Sequence, residues 1–584
     1  MLIEQLKRVA VVNGDVSNEK PSVKQECSDV VNISVFFDGT GNNKEADKKD
    51  QKWSNPARLW QNADQYTLDH ESAPDHAIYV SGVGTKFNAE LGIFQRTISW
   101  MQDSLGLGAG AGLGGARRLD YGEEQFNDHL KKALERKFQQ VEQDLAKYAA
   151  AGKSESVAEL QQCLAEHRLI KKINISVFGF SRGAALARAF TNHMIWNCKS
   201  TCDGLTYGEA QSPIEFQFLG LFDTVASFGL PSTNLLNNMT FKGRDMVVDE
   251  RVKVCVHHVA GNEQRFAFPV DLICKEGTLP NQNWKEVVYP GMHSDVGGGY
   301  MPLDEKTQIT DHFARVPLRD MLKEAIQAGV RMYSYEQLKT EHIKVFEEQF
   351  EVQPQVETLY QSVVAEMQGK EAAAIQVVQA RNNRQDMTHF DQIRAKMIAA
   401  MKTYYSAYGT IHRNQEPIAV EQARTGLGRK VVDYSLTAFG PASMADEVKR
   451  LQATRNFTAS HRNGRRNIFR VLSPVSKFYE FTISIDDWEL NSWEQTANAP
   501  VTDFYQRYVH DSKYGFLSNA EPFSYFYQRT IFEPRRSGQG QQIDLKVAEN
   551  NAQCMLSAEE QQEQLSNAYQ QAKSEQQPVL DVAS

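Results

Sequence analysis

One pentapeptide and its setting constrain this chain more than any other feature. Gly179-Phe180-Ser181-Arg182-Gly183 follows an apolar run at 173–180 (INISVFGF) and opens an alanine-rich stretch, Arg182–Trp196. The apolar run reads as a buried central strand of a parallel sheet, and the alanine-rich stretch as a helix. G-x-S-x-G between a strand and a helix is the pattern of a nucleophile elbow. The small residues two before and two after the serine let strand and helix approach closely. The serine then projects from the sheet edge, with the helix N-terminal amides aimed at it. Ser181 is therefore the candidate nucleophile.

Other segments supply the rest of such a fold. Residues 31–37 (VNISVFF) read as a strand that runs into the turn residues Asp38-Gly39-Thr40-Gly41-Asn42-Asn43. Further strands are expected at His76–Val80, 215–223, 252–259 and Lys285–Tyr289. Strands alternating with helices at this spacing predict a mostly parallel sheet flanked by helices, the α/β class. Leu105–Gly115 (LGLGAGAGLGG) lacks the Gly-Lys-Ser/Thr ending of a phosphate-binding loop and is expected to be a close-packed or mobile glycine loop. Gln125–Ala151 has a charged amphipathic helix pattern. Helices are also expected at Leu318–Ala328 and over the long charged stretch Val356–Tyr408, with short β-like runs across 460–540.

A serine hydroxyl needs a base, and the base needs a carboxylate to orient it. In elbow enzymes the chain order is serine, then acid, then histidine. Asp223 ends an apolar strand, which puts it on the elbow's edge of the sheet. His293 follows another strand, in the glycine-rich loop Pro290–Gly299. Asp295 is close by but two residues along a loop, and is read as a supporting group. His257 and His258 lie inside a strand, and His510 in Tyr508–Ser512 is the rival base. The oxyanion formed on attack requires backbone donors. The amide of Arg182 and the loop at Gly39 and Thr40 are the candidates; loss of one such donor costs about 100- to 1000-fold in rate. This chemistry needs no metal or organic cofactor.

Four segments in order, FFDGTGNN (36–43), YVSGVGT (79–85), FGFSRGAALAR (178–188) and YPGMHSDVGGGY (289–300), carry a resemblance to a known family. LFDTV (221–225) and NEQRFAF (262–268) fit as well. Together the segments resemble the bacterial α/β-hydrolase family that includes the first class of type VI secretion lipase effectors. The resemblance implies an α/β-hydrolase fold and a triad of Ser181, Asp223 and His293. It also implies phospholipase A activity on membrane phospholipid, export on a secretion spike protein and a cognate immunity protein. Such effectors attack the target cell from its periplasm.

Composition fits this reading. The chain has 584 residues, 41% of them hydrophobic, and a formal net charge of −9. That acidity argues against broad binding to nucleic acid. No stretch approaches the roughly 20 apolar residues that span a bilayer. The N-terminus lacks the apolar core of a signal peptide. Seven cysteines form neither a disulfide framework nor a zinc pattern; the one close pair is Cys198 and Cys202.

The expected organisation is an arm at 1–30, a catalytic domain at 31–330 and a mainly helical membrane- or partner-binding region at 331–460. A mixed aromatic region at 461–543, expected to pack back on the catalytic domain, and a polar tail at 544–584 follow. Phe478, Tyr479, Phe481, Trp488 and Trp493, with the basic run Arg462–Arg466, are candidates for contact with lipid. Packing aromatics and a solvated loop are the plainer readings. Two other functions fit the same residues: an esterase or thioesterase for small soluble esters, and a hydrolase-like scaffold that binds partners without catalysis.

Overall fold

The computed structural model describes residues 29–71, 73–83, 109–150, 170–208, 212–226, 245–265, 267–304, 308–414, 444–449, 452, 485–513 and 525–534. It also describes 541–542, 544–546 and 548–549. Its strands are β1 (Asp29–Phe37), β2 (Asp75–Val80), β3 (Ile170–Phe180), β4 (Lys199–Thr201), β5 (Gly204–Tyr207), β6 (Ser212–Phe222), β7 (Val254–Ala260), β8 (Val270–Asp271), β9 (Trp284–Tyr289) and β10 (Ile531–Phe532). Six of them form parallel pairs in the order β2-β1-β3-β6-β7-β9. The hairpin β4-β5 adds antiparallel to the start of β6. This is a mixed, mostly parallel sheet of the α/β class.

Alternation along the strands builds two cores. Phe36, Phe178, Phe218 and Phe222 face one side, with Phe36 stacked on Phe178 at 4.8 Å between ring centroids. Val35, Phe37, Val177 and Leu221 face the other. A period of two is what a sheet buried on both faces requires. Helices α1 (Asn55–Asp69), α2 (Ala109–Ala150) and α3 (Arg182–Asn197) cover the two faces. Leu59 and Ala63 of α1 join Phe36 on the first face, whereas Leu119 and Phe126 of α2 and Ala184–Ala187 of α3 join Phe37 on the second.

Further helices include α4 (His293–Gly297), α5 (Arg315–Gln327), α6 (Pro354–Asn382), α7 (His389–Asn414), α8 (Asp487–Glu494) and α9 (Ala499–Tyr508). The long stretch expected to be helical over 356–408 holds two helices, because Asn383 takes a left-handed conformation (φ 50°) that ends α6. The second half of α7, from Ala400 to Ile411, extends the first core, while Ile393 and Met397 join Val259, Val270 and Leu272 in a smaller cluster and Ala395, Ile398 and Ala399 pack with Ala374 and Val378 of α6.

Two expectations change. The glycine stretch is helical from Ala109 onward, and residues 105–108 lie outside the described residues. Gly122 of the same helix shows why small residues serve there: a Cβ would meet the Phe37 and Phe190 rings at 3.3–3.4 Å. The described part of 460–540 is mainly helical, with β10 its one named strand. An Asp486–Glu489 capping box starts α8, and Asn498 with Pro500 starts α9. Aromatic side chains in these helices pack at helical spacing: Trp493, Phe504, Tyr505 and Tyr508 are buried. Trp488 is partly buried against Tyr405. Packing therefore accounts for Trp488 and Trp493, while Phe478, Tyr479, Phe481 and 462–466 lie outside the described residues. Cys198 is a free thiol and Cys202 is disulfide-bonded, so the two do not pair with each other.

Candidate active site

β3 ends at Phe180, and the chain turns into α3 through Ser181, which has φ 60° and ψ −126°. A non-glycine residue there stores about 1–3 kcal/mol of strain, and such strain gathers at functional sites. The flanking glycines permit the turn. A Cβ on Gly179 would lie 2.4 Å from the Gly183 carbonyl oxygen, and one on Gly183 would lie 2.3 Å from that of Asp38. The Ser181 amide donates to the Phe222 carbonyl (3.0 Å), and the Val225 amide donates to the Ser181 carbonyl (3.2 Å). The register pairs Phe180 with Phe222, so Ser181 and Asp223 leave adjacent strand ends.

Asp223 is also left-handed (φ 43°) and fully buried. Its Oδ2 accepts from His293 Nδ1 at 2.5 Å. The Ala260 amide donates to its Oδ1 at 2.9 Å. His293 begins α4, and its ring lies 4.6 Å from Phe180 and 4.9 Å from Phe268 between centroids. Its amide donates to Glu263 Oε2 (3.2 Å), and Glu263 is paired with Arg265 (2.8 Å). The structure thus brings Asp223 and His293 into contact, and places His293 against the residue that precedes Ser181.

A second grip on Asp223 had no sequence signal. Arg529 donates from Nη1 to Oδ1 and from Nη2 to Oδ2, both at 2.7 Å. Its Nε donates to the Phe268 carbonyl at 2.5 Å. β10 pairs with β8, which delivers the arginine to this spot. Burial would raise the Asp223 pKa, but the Arg529 charge and the His293 contact outweigh it and hold the carboxyl well below the usual range. For His293 burial dominates, and it lowers the imidazole pKa against the opposing pull of Asp223.

The loop after β1 lies beside the elbow. Asp38 is buried and accepts from the Gly39 amide (2.7 Å), Ser54 Oγ and Tyr79 Oη. Burial lifts its pKa to about 6 despite these donors. Of the two loop amides considered from sequence, that of Gly39 is thus already engaged. The Thr40 amide has no acceptor among the described residues. Arg182, the first residue of α3, starts a helix whose opening amides lack intrahelical acceptors.

Among known proteins, the model described as T6SS, phospholipase effector Tle1-like, catalytic domain matches residues 32–205 and 200–324, half of the chain. The chain belongs to this family of type VI secretion phospholipase effectors. No curated protein matches it. Among solved structures, an uncharacterized protein from Pseudomonas aeruginosa is similar at 20% identity and a TM-score of 0.51, over 91% of this chain and 82% of that one. That likeness concerns the fold. A structure of the Tle1 effector bound to the VgrG spike of the type 6 secretion system aligns at 19% identity and a TM-score of 0.34, over 64% of this chain and 84% of that one.

The family's catalytic domain, as matched, includes Ser181, Asp223 and His293 but not Arg529. The rival histidines are elsewhere engaged. His510 Nδ1 contacts Asp295 Oδ1 at 2.7 Å, and its ring stacks on Tyr300 at 3.8 Å. Asp295 also accepts from the Met292 amide at 2.8 Å, consistent with a supporting place in this effector fold. His257 is buried between Glu286 (2.9 Å) and the Thr224 amide (3.1 Å), and His258 is buried against Phe222 and Tyr289. No helix among the described residues is long and apolar enough to cross a membrane.

Proposed function

We propose that the chain is a serine phospholipase of the A1 or A2 type with an α/β-hydrolase fold. The observation that carries the reading is the strained Ser181 turn beside the buried His293–Asp223 contact. With Nδ1 turned to Asp223, Nε2 is the nitrogen left to act as base. Ser181 Oγ attacks the ester carbonyl while His293 takes its proton. The tetrahedral oxyanion is met by the amides of Arg182 and Thr40. It collapses, His293 protonates the lysophospholipid alkoxide, and an acyl-serine remains. Water then attacks with His293 again as base, releasing fatty acid and free serine.

Family membership supports export by the type VI system. The further parts of that reading are a spike protein as carrier, a cognate immunity protein and action in the periplasm of a target cell. In domain terms, 31–330 would be the catalytic unit. The helical region at 331–460 and the aromatic region at 461–543 would complete it, since Arg529 belongs to the latter. The arm at 1–30 and the tail at 544–584 would flank them.

The test is acyl release from phospholipid vesicles labelled separately at the two acyl positions, with wild type beside Ser181→Ala. Release that disappears with the serine supports the reading and identifies the ester cut. Equal release by both proteins overturns the serine mechanism. Cleavage of short soluble esters without any release from vesicles overturns the phospholipase assignment.

A further inference from the structure

Arg182 has a side chain as well as the amide considered above. The Nε–H of that side chain donates to Thr40 Oγ1, in the loop after β1. The loop rests on residues 81–83: the Gly82 amide donates to the Asn42 carbonyl (3.0 Å) and the Gly41 amide to the Val83 carbonyl (2.9 Å). A Cβ on Gly82 would lie 1.7 Å from the Gly39 carbonyl oxygen, so the two loops touch through glycine. Arg118 of α2 is fastened to the second loop, with Nε on the Ser81 carbonyl (2.7 Å) and Nη2 on that of Gly82 (2.8 Å). Two guanidinium groups are thereby mounted on two touching loops beside Ser181.

Other buried guanidinium groups meet carboxylates or, like that of Arg188 on the Asp271 and Leu272 carbonyls, have their terminal nitrogens engaged. Arg58 meets Asp311 at 2.5 Å, Arg265 meets Glu263 at 2.8 Å and Arg529 meets Asp223 at 2.7 Å. Arg182 meets no carboxylate among the described residues, and its one hydrogen-bond partner there is the neutral Thr40 hydroxyl. It is half-buried. Burial and the nearby Arg118 charge lower its pKa to about 10, which still leaves it charged at neutral pH. A desolvated cation without a counter-ion is unfavourable until an anion arrives. Its Nε is occupied, so the terminal nitrogens remain to take a ligand. A phosphodiester, with two unesterified oxygens and a full negative charge, matches a guanidinium fork.

We propose that the Arg182 side chain, steadied by Thr40, is the subsite for the phosphodiester of the glycerophospholipid substrate. The inference rests on the phospholipase reading and adds the group that would separate phospholipid from neutral ester.

The experiment compares wild type, Arg182→Gln and Arg182→Lys. The substrates are phosphatidylglycerol in nonionic micelles and p-nitrophenyl butyrate, which carries no phosphate. Inhibition of butyrate cleavage by glycerol 3-phosphate is measured alongside. In Arg182→Gln the ratio of kcat/KM for phospholipid to that for butyrate is expected to fall about 10- to 100-fold, the size of a lost charge-assisted contact. Inhibition by glycerol 3-phosphate should weaken in parallel, and Arg182→Lys should recover part of both. If both substrates decline together and the ratio holds, Arg182 acts only through Thr40 or the elbow, and the subsite is overturned. Failure of glycerol 3-phosphate to inhibit wild type overturns it as well. Wild type that cleaves butyrate but not phospholipid sinks the phospholipase reading instead, and the inhibition arm still decides whether Arg182 binds phosphate.

Discussion

Arg529 holds both carboxylate oxygens of Asp223 at 2.7 Å, while Asp223 Oδ2 also accepts from His293 Nδ1 at 2.5 Å. One buried carboxylate therefore ties a late segment of the chain to the proposed base. Removing one partner of a buried ion pair leaves the other charge uncompensated, which costs about 3–5 kcal/mol. Arg529→Met should lose stability of about that size in denaturant unfolding. It should also lose activity, because Asp223 would no longer be fixed toward His293. Arg529→Lys, a point charge in place of a fork, should recover only part of each. Stability and activity near wild type in Arg529→Met would show that the contact is dispensable.

The same relationship predicts what truncation does. A chain ending at residue 513 retains Ser181, Asp223 and His293 and all of the matched catalytic domain, yet lacks Arg529 and β10. It is expected to be inactive toward vesicles even when soluble. Covalent labelling by a fluorophosphonate provides the check: a truncated chain labelled as fast as the full one would contradict the role given to the C-terminal segment.

His510 and His293 both contact an aspartate, and only one contacts Asp223. His293→Gln should reduce kcat by at least about 1000-fold, the scale for losing a triad base. His510→Gln should cost no more than about tenfold, mostly through the Asp295 turn that it braces. Parallel kinetics on the two variants decide between them. A reversed order would move the base to His510.

Much of this site was legible in local sequence, and the reason is spatial. The elbow, Asp223 and His293 each sit at or just after a strand end, and strand ends of a parallel sheet share one edge. Hydrophobic runs locate those ends to within a few residues. Arg529 carries no such mark: it lies between Gln528 and Thr530 in a polar-aromatic stretch, and only the β8-β10 pairing brings it to Asp223. The engagement of the Gly39 amide was equally hidden, since it depends on where the Asp38 side chain turns. The β-like reading of the 460–540 stretch failed where aromatics spaced for a helix face, as in α9, carry the same residue types as strands.

Acid dependence follows from His293. The base must be neutral to accept the serine proton. Burial lowers its pKa from the ordinary 6.5, so the neutral form persists to lower pH than for an exposed imidazole. The acid limb of kcat/KM should therefore have its midpoint below 6.5. Asp223→Asn removes the partner that pulls the other way. It should move that midpoint further down while reducing kcat about 10⁴-fold. A midpoint above 6.5 in wild type would mean that the Asp223 contact outweighs burial.

Gly297, at the end of α4, tests how tightly the base is packed. A Cβ there would lie 1.9 Å from the Phe180 ring, and that ring packs 4.6 Å from His293 between centroids. Neither α4 nor β3 has room to yield, since Val296 and Phe180 are both buried in the first core. Overpacking of this kind costs about 1–3 kcal/mol. Gly297→Ala should lose stability in that range, and activity with it as Phe180 pushes on the imidazole. Trimming the ring makes room, so Phe180→Leu combined with Gly297→Ala should be more stable than the sum of the two single changes implies. A double-mutant cycle by denaturant unfolding measures the coupling. Simple additivity would mean that Gly297 and Phe180 do not press on each other, and that the histidine is not held by that contact.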